Sequence, residues 1–156
     1  MESDDFFMSL ALDEAEKSYR LGEVPVGAVL VGADGQILAR AHNMPVASND
    51  PTAHAEILAI RNGATGIGNY RLPETVIYVT LEPCAMCVGA MLHGRVKRLV
   101  FGARDPRSGS AGSVLDLTGI DRFNHRMDVT GGVLAENCAE ILRRFFKERR
   151  DSVREP

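Results

Sequence analysis

Cys84 and Cys87 stand three residues apart directly after Pro83, and thirty residues upstream of Cys84 lies the triplet His54-Ala55-Glu56. Cysteines at i and i+3 share one face of a helix, so both sulfurs can point at a common ion. Pro83 suits a first helical position and Glu82 a cap, which would set the thiols in the first helical turn, where the macrodipole favours thiolate. His54 supplies a third ligand. Glu56, two positions on, is turned about 200° around a helix, so His54 and Glu56 reach one point only if it lies off the helix's N-terminal end. Asp50-Pro51 provides a start signal for that helix. The expected geometry is two helix N-termini converging on one metal ion.

Three protein ligands leave tetrahedral Zn²⁺ one open position, the mark of a catalytic rather than a structural site. A water there would titrate near neutral pH, and Glu56 has the chemistry to take its proton and pass it on. Taken alone, Cys-x-x-Cys fits redox or core roles equally well, and a structural zinc site would want a fourth ligand, for which Cys138 is available. Cys138, however, falls in an apolar helical stripe, as an ordinary buried cysteine does. His-x-Glu joined to Pro-Cys-x-x-Cys is more specific than either half.

The remaining composition bounds the class. A chain of 156 residues makes one domain, which at this size buries about 68–70% of its unfolded surface without a metal staple. Three cysteines, two of them already assigned, argue for a reducing compartment rather than a disulfide framework. The acidic start Met1-Glu2-Ser3-Asp4-Asp5 is unlike a secretory signal, and no apolar run is long enough to span a bilayer, so a cytoplasmic protein without a membrane partner is expected. A net charge of -3 gives no overall attraction to nucleic acid, so any polyanion must be held by a local patch.

In chain order, an amphipathic helix is expected from Ser3 to Leu21, ended by Gly22, and then strands at Val24–Val31 and Gln36–His42 joined through Asp34-Gly35. The His54 helix, a strand at Thr75–Thr80, the cysteine helix to Leu92 and a strand at Lys97–Gly102 follow, the last three forming a right-handed βαβ unit. A polar loop over Ala103–Gly112, a strand at His125–Thr130 and a helix to Arg150 complete the order αββαβαββα. Ser152–Pro156 reads as a flexible tail over the end of a single domain spanning 1–156. This order predicts an α/β fold, a three-layer α/β/α sandwich around a mixed, mainly parallel five-stranded sheet, with the metal site at the ends of parallel strands.

At this point the chain resembles a known family. The stretches VPVGAVLV at Val24–Val31, DPTAHAEILAI at Asp50–Ile60, YVTLEPCAMCVGAMLHGRV at Tyr78–Val96, FGARDPRSGSAGS at Phe101–Ser113 and NHRMDVTGG at Asn124–Gly132 are similar to the zinc-dependent cytidine deaminase superfamily. Within it they most resemble the bacterial tRNA adenosine deaminases. The resemblance implies hydrolytic deamination of the wobble adenosine in a tRNA anticodon stem-loop to inosine, by a homodimer carrying one Zn²⁺ per subunit. It puts the zinc ligands on His54, Cys84 and Cys87 and the proton shuttle on Glu56, agreeing with the roles read from spacing. It also sets Asn43 against the flipped base and Asp105 against a neighbouring sugar, although Asn43 also suits the turn before Pro45, and Asp105 before Pro106 is an ordinary turn residue.

The C-terminal segment gathers Arg143, Arg144, Lys147, Arg149 and Arg150 around Phe145 and Phe146. A solvated helix face laced with acids is the plain reading. Given the resemblance, Arg149 and Arg150 are expected to meet phosphates and Phe146 the RNA or pocket, while Phe145 stays in the apolar stripe. Met86, Val88, Met91 and Leu92 offer apolar surface for a dimer, which core packing explains equally well. Three functions stay in view: a tRNA adenosine deaminase, a deaminase of guanine or of a cytidine compound or nucleotide, and a non-catalytic zinc module binding RNA. Glu56 speaks against the last, and the basic C-terminal segment with the Asp105 loop favours the first over the second.

Overall fold

The computed structural model describes residues 1–154. Its elements are α1 (Asp4–Arg20), β1 (Gly27–Val31), β2 (Ile37–His42), α2 (Ala55–Ile67), β3 (Val76–Leu81), α3 (Ala85–His93), β4 (Arg98–Ala103), β5 (Asp128–Gly131) and α4 (Ala135–Arg154). The strands lie in the order β2-β1-β3-β4-β5. β1 runs antiparallel to both β2 and β3, while β3, β4 and β5 are mutually parallel. Hence β2 to β5 share one direction and β1 alone opposes them, the mixed, mainly parallel sheet expected.

Alternation along β1 divides the core. Ala28 and Leu30 face α2 and α3 in a cluster with Ile57, Val88 and Met91, and Val29 and Val31 face α1 and α4 with Phe7, Met8, Val100 and Cys138. Every residue of β1 is buried, as a central strand covered on both faces must be. Each fully buried Leu or Phe of these layers contributes roughly 1.5–3 kcal/mol. The result is the three-layer α/β/α sandwich.

Local signals explain most boundaries. Ser3 caps α1 by accepting the Phe6 N–H at 3.2 Å, and the hairpin between β1 and β2 turns through Asp34-Gly35, with Asp34 accepting the Gln36 N–H at 3.0 Å. Cys138 is wholly buried in contact with Gly102, a packing made possible because Gly102 has no Cβ. Burial pushes its thiol up to about 12. It is a core residue and no metal ligand.

Three expectations need correction. Asp50 does not start α2; its carboxylate closes a turn by accepting the Thr52 N–H and hydroxyl at 2.8 and 2.7 Å, and the helix begins at Ala55. Glu82 and Pro83 do not form the cap and first turn of α3, because Cys84 is itself the N-cap, in extended conformation with φ -76° and ψ 175°. Finally, α4 continues beyond Arg150 to Arg154, into the segment read as tail, although Asp151, Ser152 and Val153 are not strong helix formers; Glu155 and Pro156 lie outside the described residues. Among the described residues no helix is long and apolar enough to cross a membrane.

Candidate active site

The residues that could hold a metal sit at the two helix starts that the spacing pointed to. His54 is the N-cap of α2 and Cys84 the N-cap of α3, both extended and neither side chain used in capping. An N-cap side chain that does not cap is free to project off the helix end, and these two do so toward each other. Cys87, at the third position of α3, completes the group; the ligand atoms of the three residues lie within 4.8 Å of one another.

The distances fit zinc. His54 Nδ1 is 3.6 Å from Cys84 Sγ and 3.5 Å from Cys87 Sγ. With Zn–S and Zn–N bonds of about 2.3 and 2.05 Å at a tetrahedral angle, the N···S separation should be about 3.6 Å. Nδ1 is therefore the imidazole atom turned to the ion position, a point on which the sequence is silent.

Charge is arranged for a cation. A hydrogen bond from the Cys87 thiol, aided by His54 and opposed by burial, pulls the Cys84 thiol down to about 4. The Cys84 thiolate and burial in turn push the Cys87 thiol up. The two sulfurs thus share one hydrogen bond that favours thiolate at Cys84, and a bound cation would favour thiolate at both. His54 is raised by its hydrogen bond with Cys84. Glu56, only 4% exposed, lies beside Cys87, and burial pushes its carboxyl above the ordinary range.

Asn43, at the end of β2, bridges to the same helix start. Its Oδ1 accepts the Ala55 N–H at 2.8 Å, its backbone N–H donates to Val26 O at 3.0 Å and its carbonyl accepts the Ser18 hydroxyl at 2.9 Å. The amide oxygen is spent on the fold, and Asn43 also lines an adjoining cavity of about 380 Å³ shared with Val24, Pro45, Phe146 and Arg149.

Asp105 holds its own loop. Oδ1 accepts the N–H of Arg107 at 2.9 Å and of Ser108 at 3.3 Å, and Oδ2 the Ser108 hydroxyl at 3.0 Å. It also lines a second cavity, of about 590 Å³, between this loop and α4, together with Arg104, Phe146, Arg149 and Arg150. Arg149 donates to the Gly22 carbonyl and lies 4.8 Å from the centre of the Phe145 ring. Phe145 is buried, whereas Phe146 is 45% exposed and lines both cavities.

Glu82 is the residue that sequence reasoning misplaced. It is 2% exposed, yet its carboxylate accepts the N–H of Asp105 at 3.0 Å, of Ala111 at 3.1 Å and of Ser113 at 3.0 Å, and the Ser113 hydroxyl. Burial alone would raise its carboxyl, but these donors together hold it below the ordinary value. Gly109 lies against this carboxylate where a Cβ would clash. The strand that delivers Pro83-Cys84 therefore also grips the 105–113 loop. A buried glutamate beside the cysteine motif and a Gly/Ser-rich loop downstream were the available signals.

A His-Cys-Cys cluster between two helix N-termini, with a buried carboxylate beside it on an α/β/α sandwich, defines the class of zinc-dependent nucleobase deaminases. The comparisons agree. Residues 1–103 match the family described as the cytidine and deoxycytidylate deaminase zinc-binding region. The chain is 51% identical over 150 residues to a tRNA-specific adenosine deaminase of Haemophilus influenzae, covering 96% of this chain and 87% of that protein. It is 46% identical to one of Bacillus subtilis, covering 96% and 92%. A solved structure from work on A-to-I editing by tRNA:A34 deaminases at the wobble position of transfer RNA superposes with TM-score 0.84 at 44% identity, over 88% of this chain and 99% of that one. The chain belongs to the cytidine and deoxycytidylate deaminase family, in its tRNA-specific adenosine deaminase branch.

Proposed function

We propose that the chain is a single-domain, zinc-dependent hydrolase that converts the wobble adenosine of a tRNA anticodon to inosine. The observation that carries this reading is buried Glu56 beside the His54-Cys84-Cys87 cluster, with Asn43 bonded to the start of the same helix. The similarity to tRNA-specific adenosine deaminases supplies the substrate. One Zn²⁺ held by His54 Nδ1, Cys84 and Cys87 would act as a Lewis acid and make water a nucleophile at neutral pH.

The chain's own residues do the rest. Glu56 takes a proton from the attacking water and delivers protons to the purine ring and to the departing amine, so that a C–O bond forms as the C–N bond breaks, the water oxygen stays on the ring as the carbonyl and the amino group departs as ammonia. Its burial keeps bulk water from competing for that proton. Asn43, anchored through Oδ1, directs N–H donors at the edge of the flipped base. Asp105 keeps acceptor capacity for a ribose hydroxyl, the group that distinguishes RNA from DNA. Arg149 and Arg150 meet phosphates and Phe146 offers a stacking face. Cytoplasmic location and assembly as a homodimer belong to the same proposal; of the apolar residues on the cysteine helix, Val88, Met91 and Leu92 are buried within the subunit and Met86 is exposed.

The test is incubation with tRNA bearing a wobble adenosine, and separately with free adenosine, guanine and cytidine, scoring inosine and ammonia. Inosine in the tRNA alone is expected; turnover of a free base or nucleoside with none of tRNA overturns the reading in favour of a guanine or cytidine deaminase. For the end of α4, Arg149→Glu with Arg150→Glu should weaken tRNA binding and flatten its salt dependence at unchanged zinc content. An unchanged salt slope would remove the basic end of α4 from the interface.

A further inference from the structure

Glu23, just past the end of α1, is 3% exposed and among the described residues enters no ion pair. A buried carboxylate without a cation is costly unless donors satisfy it. Its Oε1 accepts the Val46 N–H at 3.2 Å and its Oε2 the Ala47 N–H at 2.7 Å. Both donors belong to the loop that runs from Asn43 to His54, and both lie on exposed residues. The backbone that launches Glu23 is fixed. The Gly22 N–H donates to Tyr19 O at 3.1 Å and the Glu23 N–H to Ser18 O at 2.9 Å, the Schellman pattern that ends a helix through a left-handed glycine, here Gly22 at φ 76°.

The two ends of the loop are held without Glu23. Asn43 is bonded to Val26, Ser18 and Ala55, and the Met44 N–H donates to Ala53 O at 3.0 Å, which closes the loop at its base. Beyond Met44 the bonds turn inward: the N–H of Ser48 donates to Met44 O, of Asn49 to Val46 O and of Asp50 to Pro45 O, at 3.0, 3.2 and 3.0 Å. Among the described residues, the two bonds to Glu23 are therefore the only hydrogen bonds that tie residues 45–49 to anything outside the loop. Pro45 and Val46 form the wall of the cavity of about 380 Å³ next to Asn43, and Glu23 lines it with them.

We infer that Glu23 is a positioning residue for the reaction, a clamp that sets the 45–49 segment where Pro45 and Val46 wall the cavity beside Asn43. The inference rests on the reading in which Asn43 meets the flipped base, and it adds the group that shapes the wall next to that contact. Because Asn43 and the start of α2 keep their own anchors, loss of the clamp acts on substrate binding and spares the chemical step. A carboxylate that only stabilised the fold would leave KM unchanged in folded, zinc-loaded protein.

The test is Glu23→Gln in the full zinc-loaded chain, which keeps the shape and turns one acceptor arm into a donor facing an N–H. Amide exchange followed residue by residue should quicken at Val46 and Ala47 by about tenfold or more, the size of a lost hydrogen bond to a charged group, with zinc content and exchange in the sheet unchanged. KM for tRNA bearing a wobble adenosine should rise by about tenfold while kcat stays within about twofold. Unchanged exchange at both amides overturns the clamp, and faster exchange with unchanged KM leaves Glu23 a stabilising group only and overturns the positioning role. A joint fall in kcat and zinc content overturns it in favour of a role in holding the metal site. Should Glu23→Gln fail to fold, the unsubstituted chain decides: its Val46 and Ala47 amides should exchange about tenfold or more slowly than unprotected amides, and unprotected exchange at both overturns the inference. Failure of the unsubstituted chain to deaminate tRNA removes the functional reading instead, and the exchange measurement still decides the clamp.

Discussion

Glu56 and Glu82 are both buried, at 4% and 2% exposure, and each flanks a helix start that carries metal ligands. Their environments drive them apart. Around Glu56 burial dominates and raises the carboxyl above its ordinary value. Around Glu82 burial is outweighed by three backbone N–H groups and a hydroxyl, so the carboxylate stays ionised as a fixed acceptor. The same side chain at the same depth is thus raised in one place and held ionised as a clamp in the other, the count of donors deciding which, and the raised one is the group proposed to carry protons.

That contrast can be broken experimentally. The largest effect is expected from Glu56→Gln, which keeps the shape and removes the proton acceptor: turnover should fall by about 10²–10⁴-fold with zinc content retained, and a variant that keeps its rate would take Glu56 out of proton transfer. Glu82→Gln turns one acceptor arm into a donor facing N–H donors, so it should cost roughly 1–3 kcal/mol in denaturant unfolding. Because it loosens the loop of Asp105, its activity loss should appear mainly in KM for tRNA and leave kcat largely intact, the reverse of Glu56→Gln. Equal losses in kcat for both would erase the distinction.

The pH dependence sharpens the comparison with a smaller effect. The folded-state carboxyl of Glu82 lies below its ordinary value of 4.5, so its stabilisation is complete above that pH and is lost as pH falls through the folded value. The stability gap between the unsubstituted chain and Glu82→Gln should therefore narrow from pH 7 toward acid, as followed by thermal melting. The smallest change is Ser113→Ala, which removes one of four donors to Glu82 and should cost about 1 kcal/mol without moving KM as far as Glu82→Gln does.

Much of this was legible from sequence because periodicity and local chemistry carry it. The apolar, β-branched run ending at Val31 announced a strand, and His54, Cys84 and Cys87 could serve one ion only at converging helix ends, where they are found, with Glu56 in the first turn of α2. The exact caps were not legible. Pro83 and Asp50-Pro51 are strong start signals, but the chain starts α2 and α3 at His54 and Cys84, whose side chains the metal position requires to be free of capping. Glu82 was read as a local cap because nothing in its neighbourhood names partners 23 to 31 residues away.

The sequence by itself determined the element order, the His-Cys-Cys group and the carboxylate beside it, since residue type and short-range spacing fix which groups a helix start can offer. Only the tertiary structure decided which imidazole nitrogen faces the sulfurs, that the Asn43 oxygen is committed to Ala55, and that Glu23 reaches the N–H groups of Val46 and Ala47. Those facts depend on segments far apart in the chain being brought within hydrogen-bond or cavity distance. Contacts of that kind are set by how the two helical layers close over the sheet, which no local pattern encodes.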